Sequence, residues 1–156
     1  MFAWFKELFV LIQMIFGRTE KCDKLEILQM KYFPFKNYSY MMWCGKLVTR
    51  KNITIRNIPS HVGNHENGHL IQAKFYKWWI QYYLVYFWEW LKGIPFWPPF
   101  NSAYYTIPFE VQAYANQHIP EYDYNREDLK SKYTIKHRKR EYKKNKTYWK
   151  NYIKYL

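Results

Sequence analysis

Proline fences off the middle of this chain. Pro59 precedes Ser60 and "GIPFWPPF" (93–100) follows Lys92. No proline lies between them, and Gly63 and Gly68 are the internal breakers. Proline removes a backbone donor and clashes with the preceding turn, so it collects at helix ends and not inside them. Ser60 adds a side-chain oxygen able to cap the first unpaired N–H groups. The pattern predicts one helix over 60–92, about thirty residues and roughly 45 Å long at 1.5 Å per residue.

Other elements follow from local composition. Upstream, 25–58 holds three short segments rich in β-branched and aromatic residues, "LEILQMKYF", "SYMMWCGKLVTR" and "NITIRNI". They predict a small antiparallel sheet with a hairpin turn near 50–52. Downstream, Pro108 at a first helical position and Glu110 in the first turn predict a second helix over 108–119. The fold class expected is α+β, and 156 residues suit a single domain over 1–156.

The first half of the long helix reads "NHENGHLIQAK" (64–74). His65 and His69, four apart, project from one helix face and are close enough to share an ion, and neutral imidazole is a ligand that zinc takes. Glu66 lies about 100° round the helix from His65, beside the ligand pair, where a carboxylate suits a general base. Glu110 is the candidate third ligand. The roughly fifteen residues of 93–107 can extend up to about 50 Å, enough to bring the chain back to the start of the helix.

This pattern resembles the HExxH metallopeptidases of the gluzincin type, in which a glutamate on a following helix completes a His2Glu set. It is more closely similar to a small bacterial family with an "NHExxHxxQ" helix, an aromatic-rich continuation and a downstream "FExxAYxN". The matching residues are Asn64, His65, Glu66, His69, Gln72, Phe109, Glu110, Ala113, Tyr114 and Asn116, and the resemblance runs from the hairpin through Asn116. It implies His65, His69 and Glu110 as Zn2+ ligands and Glu66 as base. Tyr114 stands four residues after Glu110, where thermolysin-like enzymes place a carboxylate that orients a ligand histidine. That task then falls to Tyr114 or to a backbone carbonyl. Tyr114, Tyr105 and His61 are candidates for stabilising an oxyanion, and a hairpin strand is a candidate for pairing with an extended peptide.

Charge opens a second class of function. The chain carries +13 at neutral pH, which favours anionic partners. From Glu121 onward twelve Lys or Arg stand against five acidic residues, so 121–156 reads as a basic tail. Its interleaved aromatics, as in "YKKNKTYWKNYIKY", suit anionic lipid or single-stranded nucleic acid, although no base-reading motif accompanies them. The N-terminal "MFAWFKELFVLIQMIFGR" (1–18) predicts a helix apolar round most of its circumference, either a core helix or one lying in a membrane plane. Glu7 directly after Lys6 and the lack of a small-residue cleavage site argue against a secretion signal, favouring a cytoplasmic or peripheral membrane location. "WWIQYYLVYFW" (78–88) is too short to span a bilayer and calls for burial by other elements or by lipid. Cys22 and Cys44 form no CxxC pair and read as reduced thiols.

The function expected is zinc-dependent hydrolysis of a peptide or protein substrate, with Glu66 and Tyr114 as catalytic residues. The alternative is a non-catalytic zinc-binding module, or a membrane-surface or nucleic-acid-binding module built on the basic tail, with nucleic acid the less favoured partner.

Overall fold

The computed structural model describes residues 2–22, 24–31, 39–50, 53–94, 103–131 and 140. In chain order they form α1 (Phe2–Met14), β1 (Glu26–Met30), β2 (Tyr40–Trp43), β3 (Lys46–Arg50), α2 (Ser60–Ala73), α3 (Trp79–Gly93), α4 (Pro108–Asn116) and α5 (Arg126–Ser131). Short 3-10 turns lie at Thr19–Lys21 and Ile55–Asn57. The fold is α+β, as the sequence indicates.

The sheet has the order β1-β3-β2, with β2 antiparallel and β1 parallel to β3. It is therefore mixed, where an antiparallel sheet was expected. Its hairpin turns at Cys44-Gly45 and not at 50–52. Both residues have positive φ, 49° and 80°, the combination a two-residue turn needs to match the twist of its strands. A side chain at Gly45 would also meet Cys22 Sγ at 2.5 Å. "NITIRNI" supplies no strand among the described residues; it carries the 3-10 turn Ile55–Asn57.

The predicted helix over 60–92 is two helices. No proline or glycine marks the break at 74–78; contacts with the segment after α1 make it. The N–H groups of Trp79 and Ile80 donate to the carbonyls of Gly17 and Ile15 at 3.1 and 2.9 Å, and Thr19 donates through its N–H to Lys77 O and through its hydroxyl to Tyr76 O. Gln81 Oε1 accepts the N–H groups of Lys77 and Trp78 at 3.1 and 3.2 Å. Backbone groups that a continuous helix would satisfy internally are thus satisfied from outside it. The break keeps α3 beside the two histidines of α2, so the long return over 93–107 has no 45 Å helix to retrace.

The core gathers Met42, Leu70, Ala73, Trp79, Tyr82, Ile107, Phe109 and Leu129 from the sheet, α2, α3, α4 and α5. At the end of α3, a Cβ on Gly93 would lie 2.6–2.9 Å from Thr106 Oγ1 and Ala103. That close approach seats the chain leading into α4, which ends at Asn116 and not at 119. α1 is a core helix on one side only: Leu11 packs with Met30 and Val48, while Phe5, Phe9 and Ile12 are exposed, as is Phe16 just beyond its end. Likewise α3 buries Trp79 and Tyr82 and exposes Leu84, Phe87 and Trp88. Among the described residues no helix is long and apolar enough to cross a membrane. Most of the basic tail, 132–139 and 141–156, lies outside the described residues, as does His137.

Candidate metal centre

α2 turns one face inward because Leu70 and Ala73 belong to the core and because Gly68 lets another element close in. A Cβ at Gly68 would stand 2.4–2.5 Å from the hydroxyl and ring of Tyr124. Asn64 Nδ2 donates to Gln117 O at 3.0 Å and fixes α2 against the end of α4. His65, Glu66, His69 and Gln72 are all buried on this face, and the first turn of α4 sets Glu110 opposite them.

The three expected ligands converge. His65 Nε2 and His69 Nε2 are 3.1 Å apart, and Glu110 approaches them with Oε2 at 3.3 Å and Oε1 at 3.2 Å respectively. A tetrahedral ion with bonds of about 2.0–2.1 Å sets its ligand atoms roughly 3.3–3.4 Å apart, so these separations are those of one coordination sphere. Two ring nitrogens at this distance share either a proton, as an N–H···N hydrogen bond, or a cation. Among the described residues Glu110 Oε2 is buried without a hydrogen-bond partner, a demand that a cation meets. His65, His69 and Glu110 thus form a buried group able to hold a metal ion.

The protonation of the ion-free group follows from the same packing. Burial opposes charge on His69, but the adjoining Glu110 carboxylate outweighs it and lifts the imidazole pKa to about 9. Burial likewise raises the Glu110 carboxyl, and the two histidines more than reverse this, holding it well below the usual carboxylate range. Tyr86 donates its hydroxyl to Glu110 Oε1 at 2.6 Å. Burial, then the charge of Glu110, raises the Tyr86 phenol well above its ordinary value, so it remains a neutral donor.

Gln72 takes the orienting task that the sequence left to Tyr114 or a carbonyl. Its Nε2 donates to Phe109 O at 3.0 Å and to Gln112 Oε1 at 2.9 Å, while its Oε1 lies 2.9 Å from His69 Nδ1. Tyr114 instead lays its ring against His65, with centroids 4.3 Å apart. His65 Nδ1 has no hydrogen-bond partner among the described residues, so no such bond from Tyr114 orients it.

Glu66 stands beside the ligand group and outside it. Its Oε2 accepts the N–H of Met42, on β2, at 2.9 Å. The four acidic and imidazole side chains sit in a cavity of about 600 Å3 whose walls are aromatic, chiefly Trp43 from β2 and Tyr83, Tyr86 and Trp90 from α3. Trp43 stacks on Tyr83 at 4.7 Å between centroids.

No protein-family model, characterised protein or solved structure matches this chain.

Of the residues the sequence singled out, His65, Glu66, His69 and Glu110 come together at the cavity, and Tyr114 and Tyr105 do not line it. His61 is turned toward His118, with ring centroids 5.7 Å apart. Sequence reasoning missed Tyr86, Tyr83, Tyr104 and the Met42 amide. It placed Gln72 in the motif but gave it no task. The three-residue spacing from His69 to Gln72, which puts both on one helix face, is the signal that would have found it.

Proposed function

We propose that the chain is a zinc-dependent metallopeptidase of the gluzincin type that hydrolyses a peptide bond at the base of the aromatic cavity. The observation that carries this reading is the position of Glu66, a buried carboxylate adjacent to a His2Glu group, outside it, and held by a backbone amide at the cavity wall. Two imidazoles and one carboxylate are a donor set of catalytic zinc sites. Bound zinc supplies a Lewis acid that polarises a carbonyl and lowers the pKa of water.

The chain's own groups account for the remaining steps. Glu66 receives a proton from the attacking water and passes it to the leaving amine; its Oε2 is engaged by Met42, which leaves Oε1 for that proton. Trp43 and Lys46 flank the two-residue turn, so the next pair, Met42 and Leu47, points its peptide groups away from the ladder. The Met42 N–H reaches Glu66 for this reason, and the Met42 carbonyl lies on the edge of β2, where an extended substrate can add as a strand. Tyr104 lines the cavity, and burial followed by the charge of Glu110 keeps its phenol protonated. It replaces Tyr114 as the candidate donor to an oxyanion.

Incubating zinc-loaded protein with a mixture of unstructured peptides, read by mass spectrometry, tests the reading. Cleavage by wild type and none by Glu66→Gln supports it. Absence of cleavage, or equal cleavage by both, overturns it.

A further inference from the structure

Large apolar side chains occupy the outside of two helices. On α3, Leu84, Phe87 and Trp88 are 61%, 54% and 59% exposed. Their spacing of i, i+3, i+4 makes them one stripe, on the side away from the buried Trp79 and Tyr82. On α1, Phe5, Phe9 and Ile12, spaced i, i+4, i+7, form a second exposed stripe, and Phe16, two residues beyond the end of α1, is exposed as well. Phe16 lies where the two helices meet, since the carbonyls on either side of it, those of Ile15 and Gly17, accept the N–H groups of Ile80 and Trp79. Isolated apolar residues are ordinary on a protein surface, but stripes of this size mark a face that something covers.

Charge selects what covers it. Two copies of a chain carrying +13 repel one another, which opposes burying this face against a second copy, whereas an anionic surface attracts it. Lys92, which is ion-paired with Glu89, holds Nζ 5.9 Å from the ring centroid of Trp88, and a long amphipathic side chain beside an exposed indole suits the headgroup layer of a bilayer. The cations concentrated beyond Glu121 in the sequence add long-range attraction to anionic lipid. Because neither helix is long and apolar enough to cross a membrane, each would lie in its plane.

We propose that the outer faces of α1 and α3 dock onto an anionic lipid bilayer. Phe87 belongs both to the exposed stripe and to the wall of the metal cavity, so docking leaves the mouth of the cavity at the lipid boundary. This inference does not depend on the peptidase reading.

The test is co-sedimentation of the full chain with phosphatidylcholine vesicles, with and without phosphatidylglycerol. Wild type is compared with the double variants Leu84→Asn/Trp88→Asn and Phe9→Asn/Phe16→Asn, whose sites are exposed. Circular dichroism verifies that each variant is folded. The expected result is binding to the phosphatidylglycerol vesicles that weakens about tenfold or more in each double variant. Three results would overturn the proposal: no binding to either vesicle, binding that salt abolishes and the substitutions leave unchanged, or a dimer without lipid that the substitutions dissociate.

Discussion

Gln72 Oε1 lies 2.9 Å from His69 Nδ1, and the rest of the Gln72 amide leaves it no other orientation. Its nitrogen faces the carbonyl of Phe109 at 3.0 Å, a group that only accepts, so the oxygen must face the imidazole. His69 therefore carries a proton on Nδ1 and turns Nε2, the nitrogen that meets His65 and Glu110, toward the ion position. Replacing Gln72 by Leu frees the ring and also leaves the buried Gln112 Oε1 without the donor it has in Gln72. Metal affinity is expected to fall by about 10–100-fold and stability by about 1–3 kcal/mol. Chelator competition and denaturant unfolding measure the two separately.

Tyr86→Phe removes one hydroxyl and keeps the ring that stacks on Phe109 with planes 8° apart. What is lost is the 2.6 Å hydrogen bond to Glu110. Metal affinity is expected to drop by about tenfold or more, with near-native thermal stability once the ion is bound. An unchanged dissociation constant would show that the bond does not support the ligand.

Glu66→Gln preserves an oxygen for the Met42 N–H and removes the proposed base. Metal content should match wild type while any hydrolytic activity falls by about 10²–10⁴-fold. Loss of the ion in this variant would instead make Glu66 a ligand.

Metal uptake should release a proton. His69 has its pKa raised to about 9 in the ion-free protein, so near pH 7.5 it is charged, and an ion must displace that proton. Calorimetry in buffers of different ionisation enthalpy should give about one proton released per ion, and a heat independent of buffer would contradict this. The same group sets the stability of the ion-free form. Its stabilisation is complete below the unfolded value of about 6.5 and is lost as pH rises through about 9. Glu110, held low, contributes above its unfolded value of about 4.5 and loses that contribution on acidification. The ion-free protein should therefore be most stable between about pH 4.5 and pH 6.5, and less stable as pH rises toward 9.

Gly68→Ala sets helix propensity against packing. Propensity alone favours alanine by about 1 kcal/mol. Because the new methyl would sit 2.4–2.5 Å from the Tyr124 hydroxyl and ring, the variant is expected to lose about 1–3 kcal/mol. Denaturant unfolding decides the sign.

The centre was legible in the sequence because its members sit at short helical spacings: His65 and His69 four apart, Glu66 between them, and Glu110 just inside a proline-started helix. The break between α2 and α3 was not legible. Nothing in "KFYKW" (74–78) disfavours helix, and the turn is imposed by Thr19 and the 15–17 carbonyls, more than fifty residues earlier. The hairpin was misplaced because Cys44 is an unusual residue for positive φ, and only Gly45 hinted at the turn. Parallel pairing of β1 with β3 is a long-range choice that local alternation does not encode. Tyr86 escaped notice because its partnership with Glu110 exists only once α3 has folded back beside α2.

Every role assigned to the cavity rests on the capacity of His65, His69 and Glu110 to hold one metal ion. Its most direct test is the metal content of the protein purified without added metal and then titrated with zinc, in wild type, His69→Ala and Glu110→Ala. About one ion per chain is expected in wild type, lost or greatly weakened in both variants. A wild type that takes up no zinc after stoichiometric addition, or variants that hold it as tightly as wild type, would contradict it.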